Sequence, residues 1–320
     1  ACLLGIALAA GNPVWAQTLR WASQGDLLTL DPYSQNELLT NSINGQVYET
    51  LVGRDKDLKV VPALATEWQQ LSPTRWRMVL PRGVKFHGGQ DFSADDVVFS
   101  VERARDKASN IRPYAAGLGE VRKIDDLTVE FLLPQFNPIF LEHATLVQMM
   151  SKAWCEEHDA SKPQDFKGGE MKYTTLHANG TGPYVVVSRQ PDVKTTFKRN
   201  PNWWGSFEGN VQEVVYTPIK TDSTRTAALV SGELDLVLDP PPQGIERLRT
   251  AAGTKVLDGA ENRIIFIGMD QGRDELLYSS VKGRNPFKDV RVRKALYQAV
   301  DIEALRTSIM LGQARPTGAM

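Results

Sequence analysis

The sequence predicts an α/β chain, because strand-like and helix-like stretches take turns along almost its whole length. Residues 75–80 and 128–133 alternate apolar and polar side chains as half-buried strands do. Residues 83–100, GVKFHGGQDFSADDVVFS, read as a strand, a Gly-Gly turn and a capped helix. Residues 184–189 and 193–198 form a hairpin around Gln190-Pro191-Asp192.

The elements follow in order. Residues 1–16 carry no charge, and 2–10 form an apolar run of the length expected for the core of a secretory signal. Val14-Trp15-Ala16 places small residues at the two positions a signal peptidase reads, so cleavage is expected before Gln17. No basic segment precedes the run, and the chain is expected to begin partway through its leader. The run is too short to span a bilayer of ~30 Å, and a buried strand is the alternative. Cys2 is not read as a lipid-modified cysteine, since apolar or small residues follow where a tether should begin.

Residues 18–22 open the first strand, and 27–41 are a turn-rich loop around Asp31-Pro32. Residues 42–52 are predicted helical from Ile43, Val47 and Leu51, spaced by four. Ser93 caps the next helix with Asp96 three residues on, and Val97, Val98 and Val101 supply its buried face. Asp95 and Asp96 are adjacent on that helix and point in different directions, so they cap rather than hold a metal. Beyond the hairpin, 213–219 and 234–238 read as strands. Residues 223–231 and 243–252 read as helices stopped by Gly232 and Gly253. The apolar run 263–269, bounded by charge, suits a fully buried strand. Residues 289–300 and 301–311 are helices, each opened by an Asp.

Length and composition bound the function. The 320 residues suffice for two domains, with 42% apolar and 23% charged residues as in ordinary globular proteins. A net charge of −1 with basic residues dispersed argues against a nucleic-acid or anionic-membrane partner. Without the leader a single cysteine, Cys155, remains, so no intramolecular disulfide is expected. The motifs H-E-x-x-H, C-x-x-C, G-x-S-x-G and the phosphate-binding G-x-x-x-x-G-K-[ST] do not occur. Gly180-Thr181-Gly182 resembles the start of a dinucleotide fingerprint, but Val185 stands at the third glycine position and a strand follows. Cys155 near His158 lacks an identifiable third group for nucleophilic chemistry, and a buried thiol is the simpler reading. His87, His143, His158 and His177 have no metal-ligand spacing. No catalytic residue, metal or cofactor is assigned, and binding is favoured over catalysis.

Six blocks in order resemble the extracellular solute-binding proteins, family 5, the peptide- and nickel-binding components of ABC importers. They are Val61-Pro62-Ala63-Leu64-Ala65 with Trp68, the stretch Leu80 to Gly89, Gly182-Pro183-Tyr184, Asn200 to Trp204, Gly232-Glu233-Leu234-Asp235, and Pro286 to Leu296. Pro81 is inserted before the usual Arg in the second block. Trp68, Trp203 and Trp204 within these blocks, and Trp76 between the first two, suit packing.

The resemblance implies a two-lobed, type II periplasmic-binding fold that closes over ligand by hinge motion. By it, residues 1–16 are a partial signal peptide and 17–270 are lobe I without its C-terminal return segment. Residues 271–320 are then the crossover and the start of lobe II, and the chain is expected to be truncated. It implies a monomeric periplasmic receptor that captures a peptide or peptide-like solute and hands it to permease subunits in the inner membrane. Asn36, Leu38, Tyr114 and Phe266 match ligand-lining positions of the oligopeptide-binding members. Receptors of this family for a nickel complex, oligosaccharide or opine remain open. So do an exported enzyme with catalytic residues beyond Met320 and, less favoured by the leader, a cytoplasmic regulator.

Overall fold

The computed structural model describes residues 17–259 and 264–317, and the leader expected at 1–16 lies outside the described residues. The chain divides into two units between Leu238 and Asp239. In the first unit, β1 (Gln17–Ser23) leads through a long loop to α1 (Leu38–Asn44), followed by β2 (Val52–Arg54) and β3 (Val60–Pro62). Next come β4 (Glu67–Ser72), β5 (Arg75–Val79), α2 (Ala94–Ala104), α3 (Arg112–Ala116), β6 (Glu120–Asp125) and β7 (Thr128–Leu132). The helices α4 (Phe140–Ala144) and α5 (Lys152–Glu157) precede β8 (Tyr184–Gln190), β9 (Lys194–Arg199) and β10 (Val211–Pro218). The unit ends with α6 (Asp222–Val230) and β11 (Leu236–Val237).

The strands build a five-stranded sheet of order β11-β1-β10-β9-β8, a β2-β3 ribbon, and a four-stranded sheet of order β4-β5-β7-β6. In the five-stranded sheet β1 runs parallel to β10 and β11, while β9 and β8 add antiparallel. The four-stranded sheet is antiparallel throughout. Its alternation sorts the two faces. Trp76 and Met78 of β5 pair with Phe131 and Val129 of β7, and these four join the core that also takes Val97 and Val101 of α2. Burying each such side chain contributes about 1.5–3 kcal/mol. The opposite face is polar, and Glu130 is shielded there between Arg75 at 2.5 Å and Arg77 at 2.6 Å.

The capped helix forms as expected. Asp96 Oδ2 accepts the Ser93 N–H at 2.9 Å, whereas Asp95 turns away to Lys123 at 2.6 Å. One helix moves. Instead of 42–52, α1 spans Leu38–Asn44, because the Glu37 carboxylate caps the amides of Leu39 and Thr40 at 2.9 and 2.7 Å. Val47 and Leu51 are buried as their spacing suggested, but on turns beyond Gly45 rather than on a helix.

In the second unit, α7 (Ile245–Thr250), α8 (Val290–Ala299) and α9 (Ile302–Ala304) are joined by irregular segments. Residues 264–269, read from sequence as part of a buried strand, have no regular structure, and Ile265 and Ile267 are 84% and 74% exposed. Among the described residues no strand lies in this unit for them to pair with, so the backbone lacks the ladder that a buried strand requires.

Candidate functional site

The loop between β1 and α1 brings polar side chains to a mixed polar and apolar hollow on the surface of the first unit. There a concavity of about 440 Å³ is bounded by Pro32 and Asn36 of the loop, Asn41 of α1, Glu49 and Thr50 after it, and Gln148. Gln148 is held opposite Thr50 by an isolated antiparallel bridge. Thr50 Oγ1 donates to Val52 O at 2.8 Å.

Asn36, which lines the concavity, meets Tyr114 beside it, 78 residues away in sequence: Asn36 Nδ2 donates to Tyr114 Oη at 3.4 Å. Asn41 Nδ2 donates to Asn36 Oδ1 at 3.0 Å, which orients the amide. Tyr114 stands on α3, started by Pro113 in its first turn, and its ring meets the His143 ring edge-on with centroids 6.1 Å apart. His143 Nδ1 lies 3.2 Å from Asn137 Nδ2. The Asn137 amide is oriented by Gly117 O at 2.8 Å and the Ile139 N–H at 3.1 Å, so His143 accepts at Nδ1 and is the Nε2–H tautomer. Burial holds this imidazole below its ordinary value.

The other two predicted positions fall elsewhere. Leu38 opens α1 and is 46% exposed. Phe266 belongs to the second unit and is 61% exposed in the irregular segment.

Sequence reasoning missed Asn41, Glu49 and Gln148. Glu49 and Gln148 share a legible signal, Glu49 being the one charged residue in the largely apolar stretch Val47 to Val52 and Gln148 the one polar residue in Leu146 to Met150. Glu49 accepts the indole N–H groups of Trp203 at 3.2 Å and Trp204 at 2.9 Å. Burial raises its carboxyl above the ordinary value, and these donors offset part of that. Trp203 and Trp204 therefore supply hydrogen bonds as well as bulk. Gly180 and Gly182 of the apparent fingerprint are explained by packing. A Cβ at either would lie 1.9 or 2.7 Å from Val47 O, and Gly182 N–H donates to that same oxygen at 2.9 Å. Cys155 is fully buried, and burial pushes its thiol up to about 12, which leaves it protonated. The histidines have protein partners: His87 Nε2 is 2.9 Å from Gly182 O, and Tyr173 stacks with His158 and His177 at 4.2 and 3.9 Å.

The amides of Asn36, Asn41 and Gln148, set among apolar lining such as Ile111 and Leu146, suit a solute read by a few hydrogen bonds. A family model described as bacterial extracellular solute-binding proteins, family 5 Middle, matches residues 59–320. The chain belongs to that family. It is 27% identical to the di/tripeptide-binding protein 1 of Pseudomonas aeruginosa (strain UCBPP-PA14), over 97% of this chain and 59% of that protein. It is 26% identical to the glutathione-binding protein GsiB of Pectobacterium atrosepticum, over 95% of this chain and 56% of that protein. The chain thus spans less than three-fifths of the length of either of these curated relatives. In fold it is similar to the oligopeptide-binding protein AppA from Bacillus subtilis, solved with a nonapeptide. That likeness has a TM-score of 0.78 at 20% identity, over 94% of this chain and 57% of the other. The α/β class expected from sequence is therefore the fold of these binding proteins. Among the described residues no helix is long and apolar enough to cross a membrane.

Proposed function

We propose that the complete gene product is a periplasmic receptor of an ABC importer that captures a peptide or peptide-like solute and delivers it to permease subunits in the inner membrane. The observation that carries the reading is the Asn36–Tyr114 contact beside the concavity, in a chain of this family. Relatives named for di/tripeptide and glutathione binding support a peptide-like ligand. In this reading Asn36 and Tyr114 offer donors and acceptors to ligand amides, while Leu38 adds apolar contact. Residues 17–270 serve as one lobe and 271–320 begin the other. Ligand favours the closed arrangement by its greater affinity for it. The protein acts as a monomer and catalyses nothing.

Thermal unfolding with di-, tri- and tetraalanine, glutathione, a maltooligosaccharide and nickel–histidine tests this. A true peptide ligand at a hundredfold excess over its Kd stabilises by about 2.7 kcal/mol. Stabilisation only by the sugar or the nickel complex would replace the peptide reading, and no shift with any of the peptides or glutathione would end it.

A further inference from the structure

We propose that Asp31 and Arg103 are a positioning pair for this ligand wall: buried together, they hold the loop that carries Asn36 against Tyr114. The ligand role rests on the reading above, whereas the hold on the loop does not.

Residues 24–37 contain no helix or strand, yet Leu30, Asp31, Tyr33 and Ser34 are buried. Their backbone groups must be satisfied outside any ladder. Asp31 and Arg103 have side chains with no solvent exposure, joined at two points, Nη1 to Oδ1 at 2.9 Å and Nη2 to Oδ2 at 2.5 Å. Such a pair is weak evidence for stability as such, because desolvation opposes the Coulombic gain. Its other bonds indicate what it organises. Arg103 Nε and Nη2 donate to Ala160 O at 2.9 Å and Lys162 O at 3.1 Å. Asp31 accepts the Tyr33 N–H at 3.1 Å, the Gln164 N–H at 3.3 Å and the Thr174 hydroxyl at 3.0 Å.

From this hub the order passes to the wall. The Arg103 guanidinium lies 5.1 Å from the Tyr33 ring centroid, and the Tyr33 hydroxyl donates to the backbone oxygen of Gln148, a residue of the concavity. Tyr33 O accepts the Asn110 N–H at 2.8 Å, and Asn110 Nδ2 donates to Ser34 O. Asn110 stands two residues before α3, which carries Tyr114. The loop is thus tied to α3 and to the Gln148 segment, with Arg103 behind it. A planar fork is needed to reach both Asp31 oxygens, so lysine cannot replace it.

Hydrogen exchange on the ligand-free complete gene product tests the hold. In Arg103→Lys, the amides of Asp31 and of residues 33–36 should exchange at least ~10-fold faster while β5 and β7 keep their protection. Tyr33→Phe, which keeps the ring and loses the tie to Gln148, is the second variant should Arg103→Lys fail to fold, and it should loosen the same segment. Unchanged exchange at 31–36 in either variant overturns the pair's role whatever the ligand. Calorimetry with trialanine then tests the ligand role. Arg103→Lys should weaken binding at least ~10-fold, and that loss should largely vanish in an Asn36→Ala background. Losses that simply add would mean the pair acts through general stability and would overturn it as a positioning pair. Asn36→Ala with wild-type affinity and faster exchange in Arg103→Lys would leave the hold intact and remove the ligand-wall reading alone.

Discussion

Trp204 and Glu49 meet across 155 residues, the indole N–H donating to Oε2 at 2.9 Å while Trp203 takes Oε1 at 3.2 Å. Two neutral donors thereby hold a half-buried carboxylate at the edge of the concavity. Trp204→Phe keeps the ring bulk and leaves one oxygen without its donor, which costs about 1–3 kcal/mol when the group stays dry. Urea unfolding should show a lower midpoint at unchanged slope. An unmoved midpoint would show that water takes the place of the indole.

Tyr114→Phe isolates the hydroxyl that meets Asn36. The ring should remain against His143, so the melting temperature should hold. Losing one ligand-facing hydrogen bond of about 1 kcal/mol predicts roughly fivefold weaker binding of the peptide found by the thermal screen. Wild-type affinity would take Tyr114 out of the ligand wall.

Two strands of the four-stranded sheet, β5 and β7, were legible because alternation records which face each side chain takes, whereas β4 and β6 were not read from the sequence. Trp76 and Met78 face inward and Arg75 and Arg77 outward, as residues 75–80 implied. The 38–44 helix was misplaced because Ile43, Val47 and Leu51 mimic a helical stripe although only Ile43 lies on one. The segment 264–269 shows the reverse failure: apolar composition states what a strand would bury, not whether a partner exists. At the site, Asn36 and Tyr114 were found only through family resemblance, since no local pattern links positions 78 residues apart. Arg103 was invisible for a related reason. Its helix predicts an exposed cation near the end, and only the arrival of Asp31 from a distant loop makes burial tolerable.

Gly180→Ala tests the close approach of the 180–182 segment to the turn after α1. The new Cβ would sit 1.9 Å from Val47 O, with backbone rather than a movable side chain in the way. The expected loss is about 3 kcal/mol or more, read by denaturant unfolding. A variant as stable as the wild type would overturn the close approach of this segment to Val47.

Acid should weaken the first unit through His87 and His143, both held below their ordinary values by burial. His87 donates from Nε2 to Gly182 O, and its buried Nδ1 has no partner. His143 meets an N–H of Asn137 at Nδ1, so neither ring accommodates a second proton well. The unfolded chain takes up protons near pH 6.5 while the folded chain resists them. In that window the unfolded state binds more protons, so stability rises with pH and falls as pH drops below about 6.5. The decline ends once pH passes below the folded-state values, where both states are protonated. Unfolding free energies from pH 7.5 to 5 should show this slope, and His87→Gln with His143→Gln should flatten it. An identical slope in the double variant would assign the acid sensitivity to other groups.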